Sequence, residues 1–553
     1  MNKLLLLVII VIAILIRFWQ LGNVPPSPDW DEASLGYNAY SIMLTGKDEY
    51  GKFLPIILRS FDDYKPALYA YLIIPFIKIF GLNIISVRLP AAIFGVLGVL
   101  ATYFLVRELF ERWEAGRVKL DNDMRSENKK SNVSLQNLAS SIPLLTSFLL
   151  AISPWHVHFS RVAFETQVGL VFNIFSILFF LKGLKNGFYL FISAVFAAAS
   201  IYVYQSEKVY IPILFFVLAL IYRKDIFGIS KKWLISALLF GAILVFPMFW
   251  NLVSDPNSLM RARGVSVFSD QTQFLKRNVQ KLEQDKKNND YLGMILDNRR
   301  VEYSKSIISG YISHWNLNWL FITGDIDRHH APFMGLMYLV ELPFLLAGIY
   351  FLLFGDYPKK TKLTVLALFL IAPIPASVTS GVPHAVRAIN FLPTFQIFTA
   401  IGLLSAFAFV SNIKYQTLPA GRLVAKIHIK YFIFSLCILF FIFNILYYLN
   451  QYFVQQNYYY SQAWQYGYKQ TIDFIVPIKN RYEKIVVSNV SPLDQSYMFF
   501  LYYLKFDPAS YQKSGGTLSG GFKEEHKGFD KFTFKEIVWG NEKKEKTLFV
   551  GTM

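Results

Sequence analysis

Two acids stand side by side, Asp31 and Glu32, behind a proline-rich turn (Pro25, Pro26, Pro28) and just past a long apolar run. Asp62, Asp63 and Lys65-Pro66 follow within the same polar stretch. A carboxylate beside a hydroxyl can take its proton as the oxygen attacks. A lysine offers phosphate a point charge. Neighbours on a helix point about 100° apart, so one acid can face a reaction centre while the other braces the loop or grips a substrate hydroxyl. The plainer reading is an N-cap, an acid that starts a helix over 33–44 and is favoured by its dipole. That reading accounts for one acid and leaves the second unexplained.

Three more cations sit in unusual settings. Arg161 follows Ser153-Pro154-Trp155-His156-Val157-His158 and precedes Glu165. Lys208 follows Tyr202-Val203-Tyr204. Arg387 follows Pro383-His384. Short outer loops of membrane proteins are normally poor in cations. His158/Arg161 and His384/Arg387 each share a face if helical, and Arg161/Glu165 are spaced to pair. Cations gathered at one membrane level suit a phosphate; the bland alternative is snorkelling to the interface. Asp325, Asp327, His329 and His330 are the metal-ligand candidates, with a solvated polar loop as the simpler reading.

These residues must be positioned by membrane helices. The 553 residues are 54% hydrophobic and only 17% charged, with mean hydropathy +0.37, whereas soluble domains carry about 25% charged residues. Apolar runs at 4–19, 88–107, 139–154, 164–182, 187–204, 209–222, 233–250, 333–354, 363–379, 386–410 and 430–450 predict an all-α polytopic membrane protein with about 11 transmembrane helices. The net charge of +18 would suggest nucleic acid in a soluble chain. Here the cations flank apolar runs, so lipid is the expected partner and nucleic acid is not. The single cysteine, Cys437, excludes an intrachain disulfide framework.

Basic clusters at 107–130, 223–232, 359–362 and 414–430 are assigned to the cytoplasm. With an uncleaved first helix entering from inside, parity holds only if 66–80 lies on the outer surface or re-enters. The outer face then carries residues 21–87 with surface helices, a long loop at 251–332, and a tail at 451–553 expected to form a small α/β domain. The membrane domain is 1–450. Residues 115–137 read as a mobile inner loop.

The Asp-Glu pair in the first outer loop, Lys65-Pro66-Ala67-Leu68, Arg161 with Glu165 after Ser153-Pro154, and His384 with Arg387 after a proline occur in an order that resembles GT-C type membrane glycosyltransferases. The likeness covers roughly 1–410. It is nearest glycosyltransferase family 39, with the protein O-mannosyltransferases and the lipid A aminoarabinose transferase. The resemblance implies a polyprenyl-phosphate-linked sugar as donor, and an acceptor hydroxyl on protein, lipid or glycan outside the plasma membrane. It further implies Asp31 as base with Glu32 as its partner, Lys65 at the donor phosphate, and Arg161 and Arg387 at donor-phosphate-contacting or pocket-ordering positions. His158, Glu165, Tyr202, Tyr204, Lys208 and His384 would line the pocket. A single base without a covalent nucleophile predicts inversion. A transporter or lipid flippase is the alternative, although paired repeats are not evident. A non-catalytic envelope scaffold leaves the charged residues unexplained.

Overall fold

The computed structural model describes residues 2–123, 129–269, 272–411, 420–521, 524–539 and 546–552. Helix α1 (Asn2–Phe18) leads to α2 (Trp30–Thr45), and a hairpin of β1 (Ile57–Ser60) and β2 (Asp63–Pro66) leads to α3 (Leu68–Phe80). Then come α4 (Ile84–Asp123), α5 (Lys129–Ile152), α6 (Pro154–Phe159), α7 (Glu165–Gly183), α8 (Tyr189–Ile201), α9 (Glu207–Ile221), α10 (Arg223–Phe227) and α11 (Lys231–Ser254). The long loop expected at 251–332 is itself largely helical: α12 (Met260–Val265), α13 (Thr272–Lys287), α14 (Tyr291–Leu296) and α15 (Arg299–Ser313). The membrane part closes with α16 (Leu342–Phe354), α17 (Lys359–Ile371), α18 (Ile374–Ser377), α19 (Thr394–Ser411) and α20 (Ala420–Asn450).

Among the described residues, six helical stretches are long and apolar enough to cross a membrane: Ile84–Glu111, Glu165–Gly183, Lys231–Ser254, Lys359–Ser377, Ile389–Ala408 and Ser435–Tyr459. Shorter apolar helices include Ser141–Ile152, Tyr189–Ile201 and Leu339–Phe354. The expected 333–354 segment therefore starts late, because residues 333–338 are not helical. Helix α3 has 13 residues, short of the roughly 20 that a hydrocarbon core requires. Its Tyr69, Ala70, Ile73 and Ile77 pack inward.

The expected loop at 115–137 is corrected. Helices α4 and α5 run through all of it except 124–128, which lie outside the described residues. Lys, Glu, Arg and Leu are good helix formers, so polarity alone does not end a helix. Part of the basic stretch 414–430 also lies outside the described residues.

Where their side chains are described, helices α11 and α20 expose large apolar residues, among them Leu238, Leu239, Ile243, Phe246, Leu439 and Phe443. That pattern suits lipid rather than water. Elsewhere the backbones approach closely. A Cβ on Gly348 of α16 would lie 1.8 Å from the Phe398 carbonyl oxygen of α19, and one on Gly402 would lie 1.9 Å from that of Phe344. Small residues on both helices allow this contact, as is common in membrane helix pairs.

The tail holds α21 (Gln456–Tyr459), α22 (Tyr468–Ile478), α23 (Ser496–Leu504) and α24 (Pro508–Lys513). It also holds β3 (Lys484–Val487), β4 (Thr517–Ser519), β5 (Glu525–His526), β6 (Phe532–Phe534) and β7 (Thr547–Val550). Strand β3 lies between β6 and β7, parallel to both. Crossovers by helix make such parallel pairing possible.

Candidate active site

Helix α2 begins earlier than either acid of the pair. Its N-cap is Asp29, whose Oδ1 accepts from the Glu32 N–H at 2.8 Å while Glu32 Oε2 accepts from the Asp29 N–H at 3.4 Å. This reciprocal arrangement satisfies two otherwise orphaned donors. Asp29 therefore takes the capping role expected of the acid pair, and Asp31 is released for something else.

Asp31 Oδ1 accepts from Lys65 Nζ at 2.6 Å. The same ammonium stands 3.6 Å from Glu165 Oε1. The Lys65 and Glu165 side chains are buried, at 6% and 9% exposure, whereas Asp31 is 33% exposed. Burial would favour neutral lysine, but Asp31 and Glu165 outweigh it and push the ammonium above the usual lysine range. The result is a fixed cation between two carboxylates, one of them open to an incoming molecule.

The β1–β2 hairpin delivers Lys65, which pairs with Leu58 across the strands. The hairpin turns on Phe61 and Asp62, at φ 53° and 61°. Two successive positive φ values match the twist of a hairpin but disfavour a phenylalanine. Asp62 holds the turn in place: Oδ1 accepts from Arg59 Nε at 3.0 Å, and Oδ2 accepts from the Gly521 N–H at 3.1 Å and from Ser519. Glu165 opens α7, where the helix dipole favours an acid.

The structure separates the rest of the expected set. Glu32 is 1% exposed and grips Arg88 with both oxygens, from Nε and Nη2, each at 2.8 Å. Its Oε1 also accepts from the Ala163 N–H at 2.8 Å. It braces the turn, with both oxygens engaged by Arg88. Arg161 is likewise engaged by protein groups. Its Nη1 donates to the carbonyls of Ile16 (2.7 Å) and Arg17 (2.9 Å), and its Nη2 to that of Val24 (3.1 Å). It closes the end of α1, fully buried and over the Phe453 ring at 4.7 Å. Helix α6 ends at Phe159, and residues 385–388 form a turn, so neither His158/Arg161 nor His384/Arg387 shares a helical face.

His158 Nε2–H donates to the Arg328 carbonyl at 2.7 Å. Tyr202 OH donates to the Leu244 carbonyl and accepts from the Met248 N–H, joining α8 to α11. Lys208 Nζ donates to Gln205 Oε1 at 2.6 Å, and the Gln205 amide donates to the carbonyl of Tyr64, next to Lys65. Arg387 stays half-buried, its Nη1 donating to Thr379 Oγ1 (2.7 Å) and the Ser380 carbonyl (2.8 Å). Buried Tyr204 lies within electrostatic reach of Arg387, Glu165 and Asp31.

Sequence reasoning missed Asp29, Arg88 and Arg328. Arg328 Nη1 pairs with Asp29 Oδ2 at 2.6 Å, and its guanidinium lies 4.4 Å from the centre of the Trp30 ring. Burial pushes Asp29 up to about 6 although Arg328 pulls the other way. The signal was the run Asp325-Ile326-Asp327-Arg328-His329-His330, read only for metal ligands. Of those ligands the structure gathers Asp325 and His329, and adds His384; their ligand atoms all lie within 4.8 Å of one another. Asp327 is exposed. His330 turns away, its Nδ1–H donating to the Ala331 carbonyl and its ring edge meeting Tyr460.

The family model described as dolichyl-phosphate-mannose-protein mannosyltransferase matches residues 64–118, beginning beside Lys65. A search of curated proteins finds no match. Among solved structures, the archaeal oligosaccharyltransferase AglB from Archaeoglobus fulgidus, in complex with an inhibitory peptide and a dolichol-phosphate, is similar at TM-score 0.50 and 12% identity. The match covers 90% of this chain and 63% of that one. ArnT from Cupriavidus metallidurans in the apo state is similar at TM-score 0.48 and 13% identity, over 91% of this chain and 84% of that one. At such identity the likeness to AglB shows the fold, which is the GT-C fold expected from the sequence.

Proposed function

We propose that the protein is an inverting glycosyltransferase that moves a sugar from a polyprenyl-phosphate donor to an acceptor hydroxyl at the outer face of the plasma membrane. The observation that carries this reading is the contact of partly exposed Asp31 with buried Lys65, itself shared with Glu165. A polyprenyl phosphate is a good leaving group, so cations that meet its growing charge suffice and no general acid is required at the departing oxygen. Lys65 has a third N–H for a phosphate oxygen beyond its two carboxylates, and Arg387 is the second cation on this side.

Asp31 takes the proton of the acceptor hydroxyl as it attacks. The anomeric carbon passes through an oxocarbenium-like state, as in glycoside hydrolysis. With no protein nucleophile in the path, configuration inverts. The family match to dolichyl-phosphate-mannose transferases and the dolichol-phosphate in the AglB structure support a prenyl-phosphate donor. The acceptor is a protein, lipid or glycan hydroxyl. In this reading the chain crosses the membrane about 11 times, α3 lies at the outer surface, and residues 451–553 form an outer domain.

The test is transfer from defined polyprenyl-phosphate sugars to envelope extracts, with products identified by mass spectrometry. Asp31→Asn should lower transfer by roughly 10²–10⁴-fold while donor binding is retained. Wild-type turnover by that variant would sink the assignment of the base. Flux of substrate into proteoliposomes without glycosidic product would favour a transporter.

A further inference from the structure

We propose that Asp325, His329 and His384 form a binding site for one zinc-class divalent cation, which clips the long outer loop to the turn before α19. The three residues come from two distant segments, yet one ligand atom from each lies within 4.8 Å of the others. The turn that brings Asp325 and His329 together is closed by the His329 N–H, which donates to the Ile326 carbonyl at 2.7 Å. The second segment is tied to the first by the Ala385 N–H, which donates to Asp325 Oδ2 at 2.8 Å. His384 is oriented in turn, because its backbone N–H donates to His314 Nε2 at 3.2 Å and His314 Nδ1–H donates to the Gly310 carbonyl.

A second observation points to a cation. The Asp325 side chain is nine-tenths buried. Its Oδ2 takes the Ala385 N–H and His329 Nδ1, the latter at 2.9 Å, while buried Oδ1 has no hydrogen-bond partner among the described residues. A carboxylate oxygen buried without a partner is costly, and a metal bond would offset that cost. Phe159 and Phe164 stand against the His329 ring, 5.8 and 5.6 Å away between ring centres. They form an apolar wall that strengthens attraction between the ligands and a cation.

Two imidazoles and one carboxylate favour zinc and its neighbours over magnesium or calcium, which prefer all-oxygen shells. Three protein donors leave a fourth position for solvent or an oxygen ligand. The position gives the clip a consequence. Arg328 adjoins His329 in sequence and holds the cap of the helix that carries Asp31. Arg387 lies on the turn that carries His384. One ion would thus set both arginines relative to Asp31.

The measurement needs no sugar donor, so it succeeds or fails separately from the transferase reading. Full-length protein is purified through a tag without histidine, stripped with chelator and titrated with zinc chloride. One equivalent should bind to the wild type. His384→Gln and Asp325→Asn should each weaken uptake at least about 100-fold, and exposed Asp327→Asn should leave it unchanged. Magnesium in large excess should not compete. Cobalt loading of the wild type should give visible absorption of a low-coordinate mixed nitrogen–oxygen site, a readout that does not depend on any variant folding. Absence of stoichiometric zinc uptake by the wild type would overturn the proposal, as would equal uptake by folded His384→Gln protein.

Discussion

Arg161 and Arg387 illustrate how one residue type serves two purposes in this chain. Arg161 is fully buried and spends its two terminal nitrogens on the carbonyls of Ile16, Arg17 and Val24, near the end of α1. Arg387 keeps a half-buried position tied to Thr379 and Ser380. The two alanine variants should therefore fail differently. Hydrogen bonds to a charged group contribute about 1.5–3 kcal/mol each, so Arg161→Ala should lower stability by several kcal/mol and leave the donor KM of surviving enzyme unchanged. Arg387→Ala should raise donor KM about tenfold, with stability changed by no more than about 1 kcal/mol. Thermal unfolding beside donor titration separates the two, and a reversed pattern would exchange their roles. Glu32 belongs with Arg161: a buried acid matched to Arg88, where breaking the pair strands a charge.

At the scale of elements, the turn between α2 and β1 carries two adjacent buried acids, Asp48 and Glu49. Glu49 is 1% exposed. It accepts from Asn38 Nδ2 at 3.2 Å, Thr517 Oγ1 at 3.0 Å and Tyr497 OH at 3.5 Å, joining the segment between α1 and α3 to the tail. Burial pushes its carboxyl up to about 8. An unfolded glutamate titrates near 4.3, so folding raises this value and takes up a proton. Its contribution to stability is therefore full below about pH 4.3, declines as pH rises toward about 8, and is flat above. The melting temperature of the wild type should fall between pH 5 and pH 8 by more than that of Glu49→Gln. Parallel pH profiles for the two proteins would show that Glu49 is not the titrating group.

At the scale of the molecule, the tail is packed into the site's support rather than hung beside it. Helix α23 buries Ser496 through Tyr502. Tyr37 OH of α2 donates to the Phe506 carbonyl at 3.2 Å, and Gln512 Nε2 donates to the Asp48 carbonyl at 2.9 Å. Trp464 is fully buried, with the Arg88 guanidinium 5.8 Å from its ring centre. Removing residues 464–553 should thus uncover α2 and loosen the Glu32–Arg88 pair. Transfer and melting temperature should both drop, as assays of the truncated chain in detergent would report. A truncated chain with wild-type turnover and stability would show that α2 holds its shape alone.

Much of this was legible from residues alone. Lipid rewards long uncharged runs whatever packs beside them, so the membrane class and most helices follow from local composition. Asp31 and Lys65 stood out because charges between apolar segments are costly without partners. The partners themselves lay beyond local reach. That Asp29 caps α2, that Glu32 meets Arg88, that Arg161 closes α1, and that His384 replaces Asp327 and His330 beside Asp325 all depend on which distant segments meet. A side chain's role is set by neighbours within a few ångströms, and only the tertiary packing brings those neighbours into contact.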